Sequence, residues 1–158
     1  MFERQTRRCR QAAMTLIEVL IGMVIVGTLA SIALNSYRGY TEKMRVTQAT
    51  ADIAGIALAL NRYHADNRTF PPSLGVLGIP IPTDPWGRAY QYLPIDIDPP
   101  PNQGQIRKDK NLNPLNSDFD LYSMGPDGQT AKQLTASKAR DDIVRANNGA
   151  FIGVAANH

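Results

Sequence analysis

The chain has 158 residues, which is enough for one domain with an ordinary hydrophobic core. Its formal net charge is +3, but four arginines and only one acid lie in the first 13 residues, so the rest of the chain has no net charge. A domain that binds nucleic acid would keep a basic surplus on its folded part, so this distribution argues against one. The apolar content of 43% excludes wholesale disorder. The single cysteine, Cys9, lies in the basic tail, which excludes disulfides and thiolate metal sites within residues 14–158.

Residues 14–34 read MTLIEVLIGMVIVGTLASIAL and carry one charge, at Glu18. A helix rises about 1.5 Å per residue, so this segment would span about 31 Å, the thickness of a bilayer's hydrocarbon core. The arginines before it predict that this end stays in the cytoplasm and that the rest crosses the membrane. A secretory signal is one alternative, but its apolar core is shorter and is followed by a small-residue cleavage site, which the residues after 34 do not offer. A plain single-pass anchor is the other alternative, but it has no need of an acid, which costs about 2.5–3.5 kcal/mol in hydrocarbon and usually marks a function with a partner.

The small residue Ala13, followed by Met14 and TLIEVLIGMVIVGTLA, resembles the N-terminal signal of type IV pilins and type II secretion pseudopilins. The resemblance implies that a prepilin peptidase cleaves between Ala13 and Met14, that Met14 is N-methylated and that Glu18 is the fifth residue of the mature chain. Most members have Gly and Phe at the cleavage site, and many have proline where this chain has Asn35.

The resemblance also implies a role for Glu18 in assembly. In a filament its carboxylate would face the Met14 amine of a neighbouring subunit. Pairing would offset the cost of two charges in lipid and fix the stagger between subunits. The alternative is that Glu18 snorkels towards water or stays protonated.

Residues 36–64 contain no proline, and their apolar residues recur at helical spacing. We expect the membrane helix to continue through residue 64 and to be amphipathic in its second half. Phe70-Pro71-Pro72 ends the pattern, and residues 71–85, with five prolines, predict an irregular connection with a short turn near residues 74–77. The expected apolar stripe consists of Ile53, Ile56, Ala57, Leu60 and Tyr63 or His64.

Strand patterns follow in the C-terminal half. DPWG at residues 84–87 predicts a turn, and the alternation of Tyr90 and Tyr92 predicts a strand over residues 88–93. Residues 119–123 predict a second strand, and residues 149–154 a closing strand or tail. Residues 94–117 contain five prolines and a basic cluster, for which we expect a solvated loop, with a partner contact as the alternative. This cluster consists of Arg107, Lys108 and Lys110.

Acidic residues follow the second strand, at Asp127 and again at Asp141 and Asp142. Carboxylates and carbonyls on a flexible loop are the ligands that calcium prefers, but the spacing is not that of an EF-hand. Composition alone therefore also allows a plain turn at residues 125–128 and a helix cap at Asp141 and Asp142.

The DPWG turn and this acidic loop resemble those of the major pseudopilins of type II secretion, the protein G family of the general secretion pathway. The resemblance implies a structural calcium ion held by the Met124 carbonyl, Asp127, Asp141 and Asp142, with Ser123 close by. Thirteen residues separate Asp127 from Asp141, more than is usual in that family. The inserted segment, TAKQLTASKAR at residues 130–140, could fold as a short helix, and it could preserve the site or abolish it.

Together these patterns predict an α+β, pilin-like fold, in which a long N-terminal helix packs on a small antiparallel sheet with long loops. We expect a cleaved leader at residues 1–13, a transmembrane segment at 14–35 and a periplasmic domain at 36–158. Within that domain we expect a helix at 36–64, a connection at 65–87, a strand and variable loop at 88–117, and a strand, acidic loop and C-terminal segment at 118–158.

The implied function is that of a structural protein, a major pseudopilin whose periplasmic filament drives export of folded proteins across the outer membrane. It would be a single-pass inner-membrane protein before assembly. The implied partners are copies of the chain in a helical filament, prepilin peptidase, minor pseudopilins and an inner-membrane assembly platform. The first alternative is a type IV pilin or minor pseudopilin for adhesion, motility or DNA uptake. The second, a membrane-anchored hydrolase, would need a base near the metal that His64 and His158 do not supply, so we expect no enzyme activity.

Overall fold

The computed structural model describes residues 15–158, so the predictions for Ala13, Met14 and the basic tail lie outside the described residues. One long helix precedes four short strands, which confirms the predicted α+β, pilin-like arrangement. The elements are α1 (Leu16–Asn67), β1 (Gln91–Pro94), β2 (Phe119–Ser123), β3 (Ile143–Ala146) and β4 (Phe151–Val154).

Helix α1 continues through position 35 and ends three residues beyond the predicted bound. Arg68 follows it with a left-handed φ of 59° and donates its N–H to the His64 carbonyl at 2.8 Å. The left-handed residue turns the chain out of the helix, and the two prolines at 71 and 72 prevent the helix from resuming.

The chain divides into two compact units, Met1–Thr41 and Glu42–His158. In the first unit, the described residues form the N-terminal part of α1, and its large apolar side chains are exposed. An 18-residue window of α1 has a mean hydropathy of 2.3 and no buried residue. This part of α1 is therefore long and apolar enough to cross a membrane.

In the second unit, the four strands form one antiparallel sheet in the order β1-β2-β3-β4. The C-terminal part of α1 packs on one face of this sheet. Its contacting side chains are those of the predicted stripe at Ile53, Ile56, Ala57 and Leu60, all at most 7% exposed. From the sheet, Phe119, Leu121 and Ile143 complete this core.

The opposite face of the sheet carries a second, smaller core. Successive residues of a strand point to opposite faces, so Tyr122 and Val144 lie on this side while their neighbours Leu121 and Ile143 face α1. Leu134, from the inserted segment, is 2% exposed in this second core. The other buried members are Leu115, Ala146 and Ala155.

The strands differ from the sequence expectations in two places. Strand β1 begins at Gln91 rather than at residue 88, and the sequence did not predict β3. Arg145 is buried within β3, so the strand lacks the alternation of apolar and polar residues that would have indicated it. The expected short turn is a 3-10 helix at Leu74–Leu77.

Candidate functional site

Thr15 and Glu18 form a capping box at the start of helix α1. The Thr15 backbone N–H and hydroxyl donate to Glu18 Oε2 at 2.9 and 2.8 Å, and the Glu18 N–H donates to Thr15 Oγ1 at 3.3 Å. These bonds satisfy backbone groups that would otherwise lack partners at the helix start. They also hold the carboxylate at the first turn of the helix, at the end that Met14 precedes.

Exposed apolar surface surrounds this carboxylate. Leu20 and Val24 are 54% and 66% exposed, and Gly22 and Gly27 leave a shallow apolar groove beside Glu18. Because small residues allow close approach of a second helix, this surface can be covered by lipid or by another helix.

The DPWG turn is fixed by Asp84, which is 3% exposed. Its Oδ1 accepts the backbone N–H groups of Trp86 and Arg88 at 3.1 and 2.7 Å. Its Oδ2 accepts the Ser123 hydroxyl at 2.6 Å, which ties the turn to the end of β2. The Trp86 indole N–H donates to Glu42 on α1 at 3.2 Å, so the tryptophan covers the turn and the edge of the core.

The acidic loop, residues 124–142, folds back on itself near its two ends. Gly125 has a φ of +60°, and a methyl group at this position would overlap the Asp141 carbonyl. The Asp127 N–H donates to Asp141 Oδ2 at 3.2 Å, which brings two of the predicted ligands together. The Arg88 guanidinium donates to the Gly125 carbonyl, outside the predicted ligand set.

Asp142 is fully buried, and its carboxylate is held by two donors. Its Oδ2 accepts Arg107 Nη2 at 2.5 Å and the Thr130 hydroxyl at 2.6 Å. Burial raises the pKa of the Asp142 carboxyl above its ordinary value, and the hydrogen bonds from Thr130 and Arg107 oppose that rise.

The expectation of a solvated basic cluster is wrong for Arg107. Its side chain is 4% exposed, and its guanidinium lies 3.9 Å from the centroid of the Tyr122 ring. A buried guanidinium needs partners for its charge and its N–H groups. Asp142, Thr130 and the face of the Tyr122 ring provide them. Lys108 and Lys110 are exposed, as expected.

Comparison with known proteins matches the N-terminal segment to a family. The family model for the prokaryotic N-terminal methylation motif matches residues 8–34. The type II secretion system core protein G of Pseudomonas aeruginosa is 32% identical over 144 residues, which cover 78% of this chain and 89% of that protein. The chain belongs to the type II secretion system core protein G family.

Two other members of the core protein G family give the same picture. The protein from Pectobacterium carotovorum is 30% identical over 141 residues, which cover 75% of this chain and 78% of that relative. The Vibrio cholerae protein is 28% identical over 148 residues, which cover 81% of this chain and 89% of that relative. Family membership confirms the predicted resemblance to the type II secretion pseudopilins.

In the arrangement described here, the side chains of the acidic loop do not provide the calcium site that the resemblance implies. Ser123 donates its hydroxyl to Asp84, and Asp142 Oδ2 faces Arg107. Within residues 15–158, no three His, Cys, Asp or Glu side chains come together at metal-binding distances. Within the described residues, Asp142 Oδ1 is buried and has no hydrogen-bond partner. This one oxygen does not make a calcium site, because calcium takes six to eight oxygens. Calcium binding by Met124, Asp127, Asp141 and Asp142 stays a prediction.

Sequence reasoning missed the two residues that hold Asp142. Arg107 lies in a proline-rich loop, where a basic residue ordinarily faces water, and Thr130 is the first residue of the inserted segment. Because these residues are 35 and 12 positions from Asp142, no local pattern joins them to it.

Proposed function

We propose that this chain is the major pseudopilin of a type II secretion system, a subunit that polymerises into the periplasmic pseudopilus and drives export of folded proteins across the outer membrane. The observation that carries the proposal is the match to core protein G of Pseudomonas aeruginosa, which covers 89% of that protein. A match of this length includes most of the globular unit, whereas the methylation motif ends at residue 34. It therefore favours a core pseudopilin over a type IV pilin that shares only the N-terminal segment.

The exposed apolar part of α1 supports a subunit that moves from a membrane into a filament. Before assembly, lipid would cover these side chains in a single inner-membrane span, with the globular unit in the periplasm. After assembly, the same segments of other copies would cover them. Because both surroundings exclude water, the move from the membrane into the filament exposes little apolar surface to water.

Glu18 differs from the apolar side chains around it, because a carboxylate is costly both in lipid and among the apolar helices of a filament. Cleavage between Ala13 and Met14 would create an amine near the first turn of the helix. In the filament, the Glu18 carboxylate of one copy would pair with the Met14 amine of the next and fix their stagger. N-methylation of Met14 would leave this amine positively charged.

Assembly of this kind needs other proteins. A prepilin peptidase would remove residues 1–13, an inner-membrane platform would lift the subunits, and minor pseudopilins would share the filament. The role proposed for the chain itself is structural, not enzymatic. In the described residues, the most buried carboxylates bind the chain's own donors, as Asp142 binds Arg107 and Asp84 binds Ser123.

Processing provides the test of this proposal. The full chain is co-expressed with a prepilin peptidase, and its intact mass is measured after extraction from membranes. We expect loss of the first 13 residues and gain of one methyl group. The Ala13→Leu variant, with a bulky residue before the bond, should keep its full mass. A wild-type chain that stays uncleaved beside an active peptidase would contradict the proposal.

A further inference from the structure

An arginine closes the acidic loop at its C-terminal end. Arg107, from the variable loop before β2, reaches Asp142, immediately before β3, with Nη2 and Oδ2 2.5 Å apart. The two side chains are 4% and 0% exposed, so this is a buried ion pair rather than a surface contact. Arg107 Nη1 also donates to the Thr130 hydroxyl at 2.9 Å, which makes a closed triangle with Asp142.

The inserted segment builds the place that Arg107 occupies. The Lys108 N–H donates to the Lys132 carbonyl at 3.0 Å, and the Leu134 N–H donates to the Lys108 carbonyl at 3.1 Å. These two bonds join the variable loop to the insertion, and Leu134 anchors the insertion in the second core. The acidic loop and the buried arginine therefore belong to one arrangement.

The backbone of Arg107 is fixed as firmly as its side chain. Its N–H donates at 2.8 Å to Asp120 on β2, a carboxylate that is 1% exposed. Arg107 thus connects Asp120 in β2 to Asp142 beside β3. At the other end of the loop, the Arg88 guanidinium donates to the Gly125 carbonyl. Each end of the loop thus has a guanidinium partner from outside it.

We propose that the Arg107 guanidinium is the cation that closes the acidic loop in this chain, so that the loop folds without calcium. A carboxylate buried without a counter-charge is strongly destabilising, and calcium or a guanidinium can supply that charge. Here the guanidinium already binds the predicted metal ligand Asp142. The inference does not depend on filament formation, because every contact that supports it lies within one copy of the second unit.

The first experiment measures the melting temperature of the full wild-type chain in detergent, once with excess calcium chloride and once with excess EGTA. Trp86 is the only tryptophan of the chain, so its fluorescence reports the melting of the unit that contains it. We expect the same melting temperature in both solutions. A ligand that binds only the folded state raises the melting temperature as its concentration rises. A melting temperature that rises with calcium would overturn the proposal and support the calcium site.

The second experiment compares Arg107→Met with Lys108→Met. Both variants remove one positive charge from adjacent positions, but Lys108 is exposed and its side chain is not part of the triangle. We expect Arg107→Met to melt about 10 °C below wild type in EGTA, and Lys108→Met to melt close to it. Equal melting of all three proteins would overturn the proposal.

A double variant separates loss of the pair from general damage. Arg107→Met combined with Asp142→Leu removes both charges, and we expect it to recover part of the melting temperature lost in Arg107→Met. If Arg107→Met yields no folded protein while Lys108→Met folds, the charge pair is essential, as proposed. No recovery in the double variant, with the single variant folded, would count against an electrostatic role for Arg107.

Discussion

The two units of the chain differ in which residues they expose and which they bury. In the N-terminal part of α1, large apolar side chains such as Val24 are exposed, at 66%. In the second unit, even charged residues are buried, and Arg145 and Asp120 are 3% and 1% exposed. The second unit therefore supplies partners for its own groups, whereas the first needs lipid or other copies to cover it. Substitutions in the first should change assembly, and substitutions in the second should change stability.

Glu18→Ala should have the largest effect, and the effect should be on assembly alone. We expect sheared filaments to fall by at least about 100-fold, since leaving a buried charge without its partner costs about 3–5 kcal/mol. The hydrogen bonds of the Glu18 side chain in this structure are to Thr15, so the melting of the second unit should not change. Met23→Leu, an apolar exchange in the same segment, is the control and should assemble normally. Glu18→Ala filaments at the wild-type level would contradict the assembly role of Glu18.

Two leucines of the same helix sharpen the comparison within the second unit. Leu60 is fully buried against the sheet, whereas Leu58 is 55% exposed. We expect Leu60→Ala to lower the free energy of unfolding by about 2–5 kcal/mol because it leaves a cavity, and Leu58→Ala to change it by less than about 0.5 kcal/mol. Chemical denaturation followed by Trp86 fluorescence measures both. Equal losses would mean that the helix does not pack on the sheet through its predicted stripe.

The smallest expected effect is a pH dependence that arises from Asp120. Burial raises the pKa of this carboxyl above its ordinary value, while the Arg107 N–H, the Asn116 amide and the charge of Arg107 oppose the rise. The folded state therefore takes up a proton at a higher pH than the unfolded state does, so the contribution of Asp120 to stability increases as the pH falls. Asp120→Asn cannot take up this proton. Between pH 7 and pH 4, we expect the melting temperature of wild type to shift upwards relative to that of Asp120→Asn.

Leu58→Ala changes no titratable group, so it serves as the control for the same pH series. Its melting temperature should stay at a constant difference from wild type. A constant difference for Asp120→Asn as well would mean that the Asp120 carboxyl keeps its ordinary pKa in the folded state.

The elements that the sequence predicted well depend on local patterns. The helical spacing of Ile53, Ile56, Ala57 and Leu60 identified the face of α1 that is buried, and Phe70-Pro71-Pro72 identified where it could not continue. The Asp84 turn follows from its own short sequence, because the carboxylate accepts N–H groups only two and four residues away.

The parts that the sequence could not predict depend on distant contacts. An arginine ordinarily faces water, but Arg145 is buried because Asp118, 27 positions away, accepts its Nη2 at 2.6 Å. Arg107 is buried for the same kind of reason. A charged side chain is buried only where a partner compensates its charge, and the partners of Arg145 and Arg107 are distant in sequence. The predicted calcium ligands came from a family resemblance, which contained no information about the arginine beside Asp142.

The structure of the assembled filament at side-chain resolution tests the central claim most directly, because it shows what covers the exposed part of α1. We predict that residues 16–34 of neighbouring copies pack against one another in the interior of the filament, with each Glu18 carboxylate beside the Met14 amine of an adjacent copy. A filament whose copies touch only through their globular units, with residues 16–34 on the outside, would contradict the account.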